Sequence, residues 1–130
     1  MPPGAAKANV LVVEDDQSVR TMLRTALQSA GYAVVAVEDG LSALQRIESS
    51  TPQAVVLDMA LPRLSGRDVH RELAARPETK QIPIVVVSGT DVSDLNPHEF
   101  SSVLRKPVHP DVVVSAVEHG LRLRRRGEFV

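Results

Sequence analysis

The sequence predicts an α/β protein with a doubly wound parallel sheet of five strands. Two observations carry this. Short Val/Leu-rich runs recur five times along the chain, as strands buried on both faces should. Apolar positions at helical spacing follow most of them, and strands alternating with helices argue for a parallel sheet covered on both sides.

The first run is Val10 to Val13. Val19, Met22, Leu23, Ala26, Leu27 and Ala30 then mark one face of an amphipathic helix, and Gly31 stops it. Ala33 to Val37 is the second run, followed by Leu41, Leu44 and Ile47. Ala54 to Leu57 is the third, followed by Val69, Leu73 and Ala74. Ile84 to Val87 is the fourth. Val103-Leu104 is a brief fifth, with a last helix from near Pro110 through Val112, Val113, Ala116, Val117, Leu121 and Leu123. The weak cycle is Asp91 to Ser102, which contains Pro97 and few apolar residues, so the fourth helix is expected to be short or irregular. Residues 1–8 read as a flexible tail, 9–125 as one domain and 126–130 as a C-terminal tail.

A length of 130 residues suits one core. The net charge of −1 gives no general attraction to nucleic acid or membrane. There is no cysteine, which removes disulfides and thiolate metal sites. No apolar run is long enough to span a bilayer, and MPPGAAKANV is not a signal peptide, so a cytoplasmic location is expected. The basic stretch Arg122 to Arg126 fits a helix C-terminus better than a DNA-binding element. His70, His98, His109 and His119 lack ligand spacing and read as surface residues.

In open parallel sheets, ligands sit beyond the carboxyl ends of the strands. The residues following the runs are Glu14-Asp15-Asp16, Asp58, Ser88 and Lys106-Pro107. Asp58 ends the run Val55-Val56-Leu57, where a plain turn would use Gly or Asn. Carboxylates gathered at one edge raise each other's pKa, and a divalent cation removes that penalty. Oxygen donors without His or Cys point to Mg²⁺ or Mn²⁺. A carboxylate beside such a metal can attack phosphorus, and the transferred group then needs a cation and a hydroxyl, for which Lys106 and Ser88 are the right types. Asp16 sits where the first helix needs an N-cap and is read as that rather than as a third ligand.

Taken together these motifs resemble the response-regulator receiver domain of two-component signalling, of the chemotaxis-regulator kind, from about Asn9 to Arg124. The resemblance rests on Glu14 and Asp15 in VVEDD and on Asp58 in LDMALPRLSG, with Pro62 and Gly66 four and eight residues later. It rests also on Ser88-Gly89 and on Lys106-Pro107, a bond usually cis in the family. It implies a flavodoxin-like strand order 2-1-3-4-5. It implies that Asp15, Asp58 and the Ala60 carbonyl ligate Mg²⁺, with Glu14 acting through metal-bound water. Asp58 would take a phosphoryl group from a sensor histidine kinase or a histidine phosphotransfer protein, Lys106 would pair with it, and Ser88 would move to bond it. The output partner would be another protein, and the only reaction catalysed would be the domain's own phosphorylation and dephosphorylation, so it is not an enzyme in the usual sense.

The chain departs from the family in two places. Val103 stands where Tyr or Phe commonly serves as a rotating switch, and the stretch from Ser88 to Lys106 is a few residues short. Phe100 is not expected to take over that role. The conformational response is instead expected in Gly89 to Ser102, read as having little apolar anchoring. The alternative is a pseudo-receiver that binds partners unphosphorylated, which the complete set of site residues opposes. An aspartyl-nucleophile phosphatase would want a second Asp where Ala60 stands, and the glycine-rich loop of nucleotide-binding folds is missing. With no effector segment after Val130, the chain is expected either to act by docking or to belong to something longer.

Overall fold

The computed structural model describes residues 6–127. Five strands, β1 (Asn9–Val13), β2 (Ala33–Val37), β3 (Ala54–Leu57), β4 (Ile84–Ser88) and β5 (Ser102–Arg105), form one sheet. The order is β2-β1-β3-β4-β5 and every pairing is parallel. The helices are α1 (Gln17–Ser29), α2 (Gly40–Ser49), α3 (Gly66–Ala74) and α4 (Pro110–Arg126). The fourth crossover holds a single 3₁₀ turn, Pro97–Glu99, in place of a helix. No helix among the described residues is long and apolar enough to cross a membrane.

Side chains alternate across the sheet because the strand period is two. Val10, Val12, Val56, Val85 and Val87 face one cluster with Leu23 and Leu27 of α1 and Val113 and Val117 of α4. Leu11, Val13, Val55, Leu57 and Val86 face the other, with Ala43 and Ile47 of α2 and Val69 and Leu73 of α3. The order of the strands reverses between β1 and β3, so a crevice opens beyond their carboxyl ends.

Local chemistry fixes the helix starts. Asp16 caps α1 by accepting from the Val19 amide at 3.0 Å. Asp39 caps α2 through Ser42 at 2.7 Å. Ser65 and Asp68 form a reciprocal capping box at α3. Gly120, in the middle of α4, is a contact requirement: a Cβ there would lie 2.9 Å from the Pro83 side chain and 3.0 Å from the Ser101 hydroxyl.

Several expectations are adjusted at the margins. Residues 1–5 and 128–130 of the expected tails lie outside the described residues. Lys7 donates to the Gly31 carbonyl, Ala8 is buried and accepts from Ala33, and α4 continues to Arg126. His70 is not a plain surface residue. It is half-buried, its ring 4.5 Å from that of Phe100, and burial lowers its pKa.

The larger correction concerns Gly89 to Ser102. Val92 and Phe100 are buried in the second cluster, Leu95 packs against it, and Arg67 pairs with Asp94 at 2.7 Å. The segment is thus anchored by irregularly spaced apolar residues that cover β4 and β5 where a helix is missing. Phe100 is 3% exposed. Its replacement by Ala should therefore cost about 3–5 kcal/mol, as buried aromatic truncations do. Urea unfolding measures this, and a loss below about 1 kcal/mol would mean that the segment is loosely held after all.

Candidate functional site

Glu14, Asp58 and Lys106 each continue a hydrogen-bond ladder beyond the end of a strand. The Glu14 amide donates to the Val37 carbonyl, the Asp58 amide to Val13, and the Lys106 amide to Ser88, at 2.9–3.0 Å. Sheet pairing therefore brings together groups far apart in sequence. Arg20 of α1 reinforces the acidic corner by donating to the carbonyls of Glu14 and Asp15 at 2.9 and 3.2 Å.

Glu14 and Asp58 are buried, at 1% and 4% exposure, whereas Asp15 is exposed. Lys106 Nζ lies 2.6 Å from Glu14 Oε1 and 3.2 Å from Asp58 Oδ2. The second contact is a hydrogen bond, and the first is a close ion pair that buries Glu14 Oε1 against the ammonium. Asp58 Oδ1 accepts from the Ala60 amide at 3.0 Å, and Glu14 Oε2 from the Asp16 amide at 3.1 Å. The Lys106–Pro107 peptide bond is cis.

Glu14, Asp15 and Asp58 each offer an oxygen within 4.8 Å of the others. Three carboxylates gathered together, two of them on the Lys106 ammonium, concentrate negative charge, and all the donors are hard oxygens. This donor set fits a small divalent cation such as Mg²⁺.

The loop after β3 is shaped closely around Asp58. A Cβ on Gly66 would lie 2.2 Å from the Asp58 carbonyl oxygen, so only glycine lets α3 begin there. Arg63 adopts a left-handed conformation, φ 70°, and its guanidinium meets the buried Asp39 carboxylate at 3.0 Å. That pair ties the loop to the start of α2.

Ser88 is fully buried at the end of β4. Its hydroxyl stands 2.9 Å from Thr90 Oγ1 and accepts from the Thr90 amide at 3.2 Å, so it is occupied within its own turn. Sequence reasoning passed over Thr90, Arg20, Arg63 and Asp39. The polar triplet Ser88-Gly89-Thr90 was a signal for the first; the Arg63–Asp39 contact spans too many residues to leave one.

A doubly wound sheet with an acidic corner and a lysine at its carboxyl edge defines a receiver-type domain. The family model described as the response regulator receiver domain matches residues 10–118, and the chain belongs to that family. Among curated proteins it is similar to the response regulator MprA of Mycobacterium sp. (strain KMS), at 44% identity over 82 residues. The MprA of Mycolicibacterium vanbaalenii is 45% identical over the same length. The matched part covers 63% of this chain and 35% of each relative, so the chain spans about a third of their length. Among solved structures, a response regulator from Chloroflexus aurantiacus is 30% identical with TM-score 0.80, covering 88% of this chain and 98% of that one. The receiver domain of a sensor histidine kinase from Pseudomonas aeruginosa, with a magnesium ion coordinated in its active site cleft, is 25% identical with TM-score 0.79. That match covers 90% of this chain and 99% of the other.

Burial pushes the Glu14 pKa from 4.5 up to about 7, despite the opposing contacts with Lys106 and the Asp16 amide. Burial alone would lower that of Lys106, but Glu14 and Asp58 more than offset it and hold the ammonium charged. Between pH 4.5 and 7 the native state thus keeps a Glu14 proton that the unfolded chain has lost, so this group's contribution to stability falls as pH rises. His70, whose pKa is lowered, contributes the opposite slope below its ordinary value of 6.5. The informative quantity is therefore the difference between wild type and Glu14→Gln. In metal-free urea titrations, the variant should gain stability relative to wild type as pH rises from 4.5 to 7; a constant difference would contradict the assignment.

Proposed function

We propose that this receiver domain accepts a phosphoryl group on Asp58, from the phosphohistidine of a sensor kinase or a histidine phosphotransfer protein, in the cytoplasm. The observation that supports it best is the convergence of Asp58, Glu14, Asp15 and Lys106 at the carboxyl edge of β1, β3 and β5.

An Asp58 carboxylate oxygen attacks phosphorus; the new P–O bond forms as the P–N bond to the donor imidazole breaks, and the ring leaves with the electron pair. Asp15, Asp58 and the Ala60 carbonyl would hold Mg²⁺, with Glu14 acting through its water. Held there, the cation would supply positive charge toward the phosphoryl oxygens. Lys106, now shared between Glu14 and Asp58, exchanges the Asp58 oxygen for a phosphoryl oxygen, so its charge follows the transferred group. The Ser88 hydroxyl leaves its turn to bond another. The product is an altered state of the domain itself, read by a protein partner rather than by nucleic acid or membrane. Arg124, in the basic stretch, is engaged by the Gln53 carbonyl at 2.9 Å.

Two outcomes check this reading. Asp58→Asn keeps shape without nucleophilicity and should abolish labelling by a small phosphodonor with Mg²⁺; undiminished labelling would move the acceptor elsewhere. In Mg²⁺ titrations Asp15→Asn should bind at least about tenfold more weakly than wild type. Equal affinities would remove Asp15 from the ligand set.

A further inference from the structure

We propose that Thr90 is a positioning residue: its hydroxyl holds Ser88 within the turn after β4, and phosphoryl binding at Asp58 must break that hold. The inference rests on the phosphoacceptor reading above and adds to it a residue that sets the balance between resting and phosphorylated states.

Ser88 Oγ has one proton and two lone pairs. One lone pair takes the Thr90 amide at 3.2 Å, and the contact to Thr90 Oγ1 at 2.9 Å takes either the proton or the second lone pair. If Ser88 donates, its proton is already spent. If Thr90 donates, the Ser88 oxygen is held by two bonds from one residue and has no freedom to turn. In the first arrangement a bond from Ser88 to a phosphoryl oxygen replaces the one to Thr90; in the second the Ser88 proton is free, but moving its oxygen toward a phosphoryl group pulls it off both Thr90 donors.

Exposure separates the two residues. Ser88 is fully buried, with little access to water as a substitute partner, whereas Thr90 and the intervening Gly89 are exposed. Gly89 has Lys106 beside it, since an added Cβ would lie 3.7 Å from the Lys106 chain. The turn is thus next to the cation that follows the phosphoryl group. A ligand shifts a two-state equilibrium only by its differential affinity. Weakening the resting state therefore appears directly as tighter binding of any phosphoryl mimic that needs Ser88. A single hydrogen bond of this kind corresponds to about three- to tenfold in an equilibrium constant.

The test uses beryllofluoride at fixed excess Mg²⁺, with half-saturation read from backbone amide shifts by NMR. Thr90→Val, which keeps shape and loses the hydroxyl, should bind about three- to tenfold more tightly than wild type. Thr90→Ser, which keeps the hydroxyl, should match wild type. In a Ser88→Ala background, Thr90→Val should have no effect, because the coupling partner is gone. Equal or weaker binding by Thr90→Val, or the same gain without Ser88, would overturn the role of Thr90 while leaving the acceptor site intact. Absence of beryllofluoride binding by wild type would overturn the acceptor reading and this role with it.

Discussion

The contact on which the site depends is the Lys106 ammonium placed between two buried carboxylates, Glu14 and Asp58. Burying either carboxylate alone would be costly. One cation is shared between the two, and burial, with the neighbouring Asp58 charge adding to it, still pushes Glu14 up to about 7. The corner is therefore built with a deficit of positive charge. Under the proposed function, a divalent cation at the exposed Asp15 side would lessen that deficit and free the Lys106 charge for the group that Asp58 accepts.

The backbone makes this arrangement affordable in strain. Glu14, Asp58 and Lys106 each lie just past the end of a strand and still donate to the neighbouring strand's ladder. The parallel pairing that buries Val12, Val56 and Val86 thereby fixes where the charged groups begin. Gly66 lets α3 start against the Asp58 carbonyl, and the Asp39–Arg63 pair holds the same loop from its far side.

The strands were legible because parallel strands buried on both faces read as continuous Val/Leu runs, and the acidic corner because its residues follow those runs directly. Asp16 was legible as a cap from its place before the first helical period. The fourth crossover was read correctly as irregular from Pro97. Its anchoring was missed, because Val92, Leu95 and Phe100 have no helical or strand period and pack through a loop. That a serine at a strand end bonds its own turn was legible from the habit of such hydroxyls, and Ser88 does so; the partner within that turn, Thr90, was not singled out. Val103 is half-buried against the second cluster, and the ring nearest the segment is Phe100, held by His70 rather than free to swing.

The central claim is that Asp58 becomes an aspartyl phosphate. Borohydride reduces an acyl phosphate to the alcohol, so an aspartyl phosphate is converted to homoserine. Treating the protein with a small phosphodonor and Mg²⁺, then with borohydride, and sequencing the peptides by mass spectrometry reads the acceptor directly. The account predicts homoserine at position 58 and at no other carboxylate, dependent on both donor and Mg²⁺. Homoserine at Asp15 or elsewhere, or an unreduced Asp58 after full exposure to donor, would contradict it.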